Sequence, residues 1–522
     1  MTGQRASRLR LIGFIVLLVG TWLIVGGVMA QNGTVSISGI IVDEAGPVVG
    51  AVVRVRNTDN ATATDSTGAF TLDGLAAGEE AEITAWADGY YITYLHVTPP
   101  AAEVTLTLRP YHRVDHPDYA WPSPLPGTGE GACGDCHPMI IGQWAGNAHG
   151  GAVSNPRFFS MYNGTDLSGE QPVGHGYVQD FPGTVGNCAQ CHAPGAGLDG
   201  YLTVDMNAVR GEITAGIHCD YCHKIGGVYL DPATGSVYPN APGAQSTHML
   251  RPPPGDNIFL GPFDDIHDPD TRLPLISESA FCAPCHQFSM WGTPIYESYT
   301  EWLASLYAED NVTCQDCHMP PSGAAYFALP EVGGLAHDPE SIPSHLQLGA
   351  ASEALLQETV TLSAIAERHA GALVVNVAIT NSGAGHHVPT DYPGRHLILT
   401  VEAVAADGDA LAFRSGPTVP AWGGAQAGLP GAAFAKLLQD AVTGEMPVVS
   451  YWRQTFIVED TRIPALGTHE SQYFFGLGNS AETLTITVRL IFRRLFQTEA
   501  EARGWDVPDV VMETVDIVLP VP

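Results

Sequence analysis

Between Cys133 and His318 one pattern occurs five times: CGDCH (Cys133, Cys136, His137), CAQCH (Cys188, Cys191, His192), CDYCH (Cys219, Cys222, His223), CAPCH (Cys282, Cys285, His286) and CQDCH (Cys314, Cys317, His318). These motifs use all 10 cysteines of the chain. In C-x-x-C-H two thiols add across the vinyl groups of a porphyrin, and the adjacent histidine reaches the iron from the same side. The spacing predicts five covalently attached haems c, and a backbone shaped by large planar cofactors as much as by its own side chains.

Other uses of the motif fit poorly. A random Cys of this composition is followed by x-x-C-H roughly once in a thousand trials. A structural zinc site joins two C-x-x-C pairs and does not need a His after each one. Thioredoxin-like redox centres sit in a βαβ context, of which there is no sign.

Charged residues make up 15% of the 522, and 58 Gly and 39 Pro accompany them. That balance predicts a loop-rich chain with modest helix content. The length suits about three domains. The net charge of −33, which haem propionates would deepen, disfavours nucleic-acid binding and favours cationic partners. Arg5, Arg8 and Arg10 precede an apolar run from Leu11 to Ala30 that ends Val28-Met29-Ala30. Residues 1–30 therefore read as a signal peptide or an N-terminal anchor, which puts the remainder outside the cytoplasm. Haem c is assembled on that side of the membrane.

The expected fold is multidomain: an N-terminal β-sandwich over 34–109, a Pro-rich linker over 110–130, a loop-rich, mainly α haem segment over 131–350, and a C-terminal β-rich, sandwich-like domain over 356–522. Val53 and Val55 alternate with Arg54 and Arg56, and Leu373, Val375, Val377 and Ile379 share one face, as do Leu484, Ile486, Val488, Leu490 and Phe492. A helix is expected over Ala432 to Leu438, and another from Tyr299 to Tyr307. The stretches Gly46 to Val53, Thr64 to Leu75 and Ala87 to Tyr90 resemble the carboxypeptidase regulatory-like domain, which implies a seven-stranded sandwich with a spacer role.

Of the 20 histidines, five belong to the motifs, so there is no shortage of second axial ligands. The run from Trp144 to His149 follows the first motif closely, as on one helix with its ligand facing the porphyrin; it resembles the W-x-x-x-x-H segment of the multihaem cytochromes that include the cytochrome c-554-like proteins, which implies that His149 is a distal ligand. The run from Asn381 to Thr390 resembles the N-x-G-x-G-H-x-x-P-T loop of C-terminal sandwich domains in multihaem cytochromes, which implies that His386 caps a haem across a domain interface. His175, His248 and His267, in Gly- and Pro-rich loops, are further candidates. His337 and His345 follow the fifth motif, and at least one is expected to ligate. His218 is either a ligand or an incidental neighbour of Cys219. Met139 and Met319 start on the wrong face of the ring.

The expectation is an extracytoplasmic pentahaem c-type cytochrome passing electrons along mostly bis-His haems. The short separations between the second and third motifs, and between the fourth and fifth, predict those as near-contact pairs. Expected partners are redox proteins, among them other cytochromes or a membrane quinol-oxidising complex, with self-association as a further expectation. Family members usually carry four haems, so a one-to-one transfer of ligands does not follow. Two alternatives stand beside this one: a haem oxidoreductase acting on a small nitrogen compound at an open haem, although the C-x-x-C-K of nitrite reductases is missing, and a subunit of a conducting filament.

Overall fold

The computed structural model describes residues 34–129, 131–267, 269–477 and 483–521; the expected leader over 1–30 lies outside them. Among the described residues no helix is long and apolar enough to cross a membrane.

The first domain is two facing sheets. In one, Thr34–Asp43 pairs with Ala69–Ala76 and the two-residue Gly46–Pro47 antiparallel and with Ala101–Thr107 parallel. The other runs Ala61–Ala63, Val52–Val55, Ala81–Trp86, Thr93–Val97. Alternation points Ile37, Ile41, Val53, Leu72, Ile83 and Leu106 into one core.

This sandwich is docked, not tethered. Tyr91 and Tyr111 pack with Leu250, Ile258, Leu260 and Leu273 of the haem segment. Around that apolar patch Arg54 forks onto Asp264 (2.9 and 3.2 Å), the Asn57 amide donates to Asp265 (2.7 Å) and the Trp86 indole to Thr271 (3.0 Å). The Pro-rich stretch after it carries no helix or strand, yet it is pinned as well: Tyr119 donates to Asp220 (2.8 Å) and Asp115 pairs with the buried Arg251.

Among the described residues of the haem segment no helix exceeds eight residues. The expected helix from Tyr299 to Tyr307 is two, Ser298–Leu303 and Leu306–Glu309. Ser305 breaks it, because its extended backbone and its hydroxyl bond to the Trp302 carbonyl end the first turn set.

The last domain is a sandwich of two antiparallel sheets. One has the order Thr361–His369, Ala372–Thr380, Thr468–Gly476, Ala412–Ser415; the other Gly431–Phe434, His396–Ala405, Leu484–Arg493, Val510–Leu519. The two predicted faces, Leu373 to Ile379 and Leu484 to Phe492, meet in a single core. The expected helix over Ala432 to Leu438 is instead two strands, Gly431–Phe434 and Lys436–Asp440. Pairing of the first to Leu397–Thr400 and of the second to Thr455–Asp460 overrides the helical preference of Ala and Leu. The second pair reaches the haem segment, where Leu438 and Val448 bury Ile295, and the buried Lys436 ammonium donates to the Ile295 carbonyl (2.7 Å) and to Glu297 (3.0 Å).

Candidate haem sites

Each motif is one helical turn: Cys133–Cys136, Ala189–His192, Cys219–Cys222, Ala283–His286 and Cys314–His318. Cysteines three apart on such a turn share a face. In the first four motifs the histidine amide bonds back to the carbonyl of the first cysteine at 2.9 to 3.2 Å, so the imidazole leaves the turn beside both thiols.

Three motif rings face a second histidine. The centroids of His286 and His149 are 6.3 Å apart, those of His223 and His345 6.3 Å, and those of His318 and His386 6.2 Å. A metal–imidazole bond is about 2 Å and the ring centre lies roughly 1.1 Å beyond the bonded nitrogen, so two axial imidazoles on one iron stand about 6.3 Å apart. The three pairs have the span that a haem iron requires.

The far nitrogen of four motif imidazoles also faces an acceptor. Because a carbonyl oxygen only accepts, His137, His223 and His318 donate Nδ1–H to Phe327 (2.8 Å), Leu260 (2.6 Å) and Leu348. That fixes the tautomer and leaves Nε2 free for metal. His286 directs Nδ1 at Asp391 Oδ2, 3.4 Å away. Burial pushes the imidazoles of His149 and His192 down to about 4 and that of His223 to about 3. Such rings stay neutral at any pH near 7, as metal ligands must. His286 differs: burial pulls its pKa down, but Asp391 outweighs it and raises it to about 9.

The opposing rings are placed by the residues around them. The helix Pro138–Ala145 stops short of His149, contrary to the expectation of one continuous helix, and Trp144 anchors its end by donating to the Ile217 carbonyl (2.9 Å). Asn147 then turns the chain, its Oδ1 accepting from the His149 and Gly150 amides (2.9 and 3.1 Å) and its Nδ2 donating to the His345 carbonyl (2.7 Å). A Cβ at Gly150 would lie 2.3 Å from the Trp144 oxygen, so only glycine fits. In the sandwich loop the buried Asn381 donates to the His386 carbonyl (2.8 Å), while Glu301 of the haem segment accepts from the His387 amide (3.1 Å) and from Thr390 Oγ1 (2.7 Å).

The other candidates lie elsewhere. His175 is held among Asp180, Glu445 and Arg453; His267 stacks on Tyr94 and bonds to Glu82 at the first domain; His248 lies on Thr247–Met249 near Tyr229. None of the three stands opposite a motif ring. Their carboxylate and aromatic neighbours engage the first two. His337 packs between Phe263 and Phe327, and His218 edges against Trp121. Among the described residues no histidine ring faces His137 or His192 in the way the three pairs do. Beside the second motif stand three tyrosines that sequence reasoning passed over. The hydroxyls of Tyr296 and Tyr451 are 3.2 Å apart, and the buried Tyr392 hydroxyl has no hydrogen-bond partner. Burial pushes the Tyr296 phenol up to about 12.

Residues 132–224 match the family described as cytochrome c554 and c-prime. The segment with the first three motifs is thus similar to multihaem cytochromes. Residues 36–109 match the carboxypeptidase regulatory-like domain. The fold of the chain is similar to that of a penta-heme cytochrome c552 from Thermochromatium tepidum, with a TM-score of 0.54 at 21% identity, covering 74% of this chain and 97% of that one. No curated protein matches it.

Contacts between motifs order the sites. The thiols of Cys133 and Cys219 lie close to each other, as do those of Cys191 and Cys285 and those of Cys282 and Cys314. Cys222 lies within electrostatic reach of Cys285. The first motif therefore joins the third, the third joins the fourth, and the fourth touches both the second and the fifth. The fourth and fifth are neighbours as expected. The thiols of the second and third turn to other motifs, because the fold, and not linear separation, sets the order.

Proposed function

We propose that this chain is an extracytoplasmic pentahaem c-type cytochrome that passes electrons along a branched row of haems, held by Cys133 and Cys136, Cys188 and Cys191, Cys219 and Cys222, Cys282 and Cys285, and Cys314 and Cys317. The motif histidines are the proximal ligands; His345, His149 and His386 are the distal ligands of the third, fourth and fifth haems. The observation that carries this reading is the repeated ring separation of 6.2 to 6.3 Å in three independent pairs. Bis-His ligation gives lower potentials than His–Met, which suits a carrier. The charge of −33 favours a basic redox partner.

A second reading concerns the second motif. Among the described residues no histidine ring pairs with His192 as in the three pairs, and tyrosine hydroxyls line the same region, one of them unpartnered. An open iron beside phenols that burial keeps protonated suits a haem oxidoreductase acting on a small nitrogen compound, because the phenols hold protons next to it. A histidine from a neighbouring copy would close the same position in an assembly.

Electron paramagnetic resonance of the oxidised protein, with haem quantified as the pyridine haemochrome, tests both. Five haems with at least three low-spin bis-His signals support the carrier. A stoichiometric high-spin haem that binds nitrite or hydroxylamine moves the oxidoreductase first. Fewer than five haems would overturn the pentahaem reading, and particle size identifies closure by a second copy.

A further inference from the structure

Four motif imidazoles have a hydrogen-bond acceptor at Nδ1, and one acceptor differs in kind. His137, His223 and His318 donate to neutral carbonyls, whereas His286 faces the Asp391 carboxylate. Asp391 belongs to the C-terminal domain and directly follows the sandwich loop. It is a held group: its other oxygen accepts from the amide of Ser298 (3.3 Å) and from the Ser298 hydroxyl, and its side chain is 13% exposed. Arg395, the nearby cation, directs one guanidinium nitrogen to the Thr390 carbonyl (3.1 Å). The Asp391 backbone has φ of 61°, a conformation that Asp, Asn and Gly tolerate better than other residues.

We propose that Asp391 is a positioning residue that lowers the reduction potential of the haem at the fourth motif and makes it the hardest of the set to reduce. This rests on the haem assignment above. A carboxylate accepting from Nδ1–H makes Nε2 a stronger electron donor, and its buried negative charge favours the ferric over the ferrous state. A carbonyl does the first weakly and lacks the charge. The position matters, because the fourth motif touches the second and the fifth and lies beside the third. In a partly reduced molecule electrons rest on the outlying haems and cross the junction only in passing.

The test is a potentiometric titration of the haem-loaded protein followed by electron paramagnetic resonance, comparing wild type with Asp391→Asn and Asp391→Gly. Asn keeps shape and backbone conformation and removes only charge; Gly removes the acceptor altogether. In both variants the lowest-potential step is expected to rise at least tenfold in its reduction equilibrium constant, about 59 mV for one electron, with the other steps within twofold and the low-spin signal of one haem altered. The proposal is overturned if haem content and low-spin signals are retained but no step moves more than twofold, or if the step that moves is not the lowest. A wild-type protein lacking bis-His signals would instead overturn the haem assignment, and this proposal with it.

Discussion

The rings of His318 and His386 lie within 13° of parallel with their centroids 6.2 Å apart, although one belongs to the fifth motif and the other to a loop of the C-terminal sandwich. Two domains thus close one site. His386→Ala is expected to convert one low-spin haem to high spin, read in the resonance spectrum, while the remaining haems keep their signals. His386→Met is expected to raise that haem's potential, since thioether ligation favours the ferrous state.

Arg462 and Glu301 form the ion pair beneath that loop. Both side chains are nearly fully buried, at 4% and 5% exposure, with Asp460 as a further partner of Arg462. Arg462→Met takes the guanidinium from Glu301, which keeps only the His387 and Thr390 contacts, and removing one partner of a buried pair costs about 3–5 kcal/mol. Denaturant unfolding of the haem-loaded variant is expected to show that loss, whereas the double variant Arg462→Met, Glu301→Gln should recover much of it.

Asn147 serves two sites through one side chain, turning the chain at His149 and holding the His345 carbonyl. Asn147→Asp keeps the acceptor for the His149 amide and loses the donor, so the site closed by His345 should loosen first. Asn147→Ala should loosen both, at a cost of about 1–3 kcal/mol. The number of haems that gain high-spin character distinguishes the two variants.

Docking of the first domain is expected to weaken in acid. Burial raises the pKa of Glu82, but its bond to His267 and the charge of Arg56 outweigh this and hold the carboxyl below its ordinary value. A depressed carboxyl pKa contributes stability that is fully present above about pH 4.3 and is lost as pH falls through the folded-state value. Protection of the Phe259–Gly261 amides, taken relative to their intrinsic exchange rates, should fall below that point, and Glu82→Gln should flatten the dependence.

The parts legible in the sequence were those written in side-chain identity or in periodicity. Alternation from Leu373 to Ile379 announced a sandwich face, and loop resemblance singled out His149 and His386, whose rings stand 6.3 and 6.2 Å from motif rings. Three features were not legible. The carbonyls of Phe327, Leu260 and Leu348 orient imidazoles through the backbone, which any residue type supplies. His175 and His267 looked like ligands in polar loops, but carboxylates brought near by folding hold them. Asp391 lay one position beyond the recognised loop, and only the packing of that loop on Ser298 reveals what it faces.

The sandwich that supplies His386 has a bearing on maturation. Its sheets are completed by Val510–Leu519, whereas Cys314 and Cys317 come almost two hundred residues earlier in the order of synthesis. On the haem assignment proposed above, attachment at the fifth motif would precede a rigid base for the loop that carries His386. For that interval the site would be reactive toward oxygen and other small ligands, and the order of synthesis makes folding of the last domain the step that seals it.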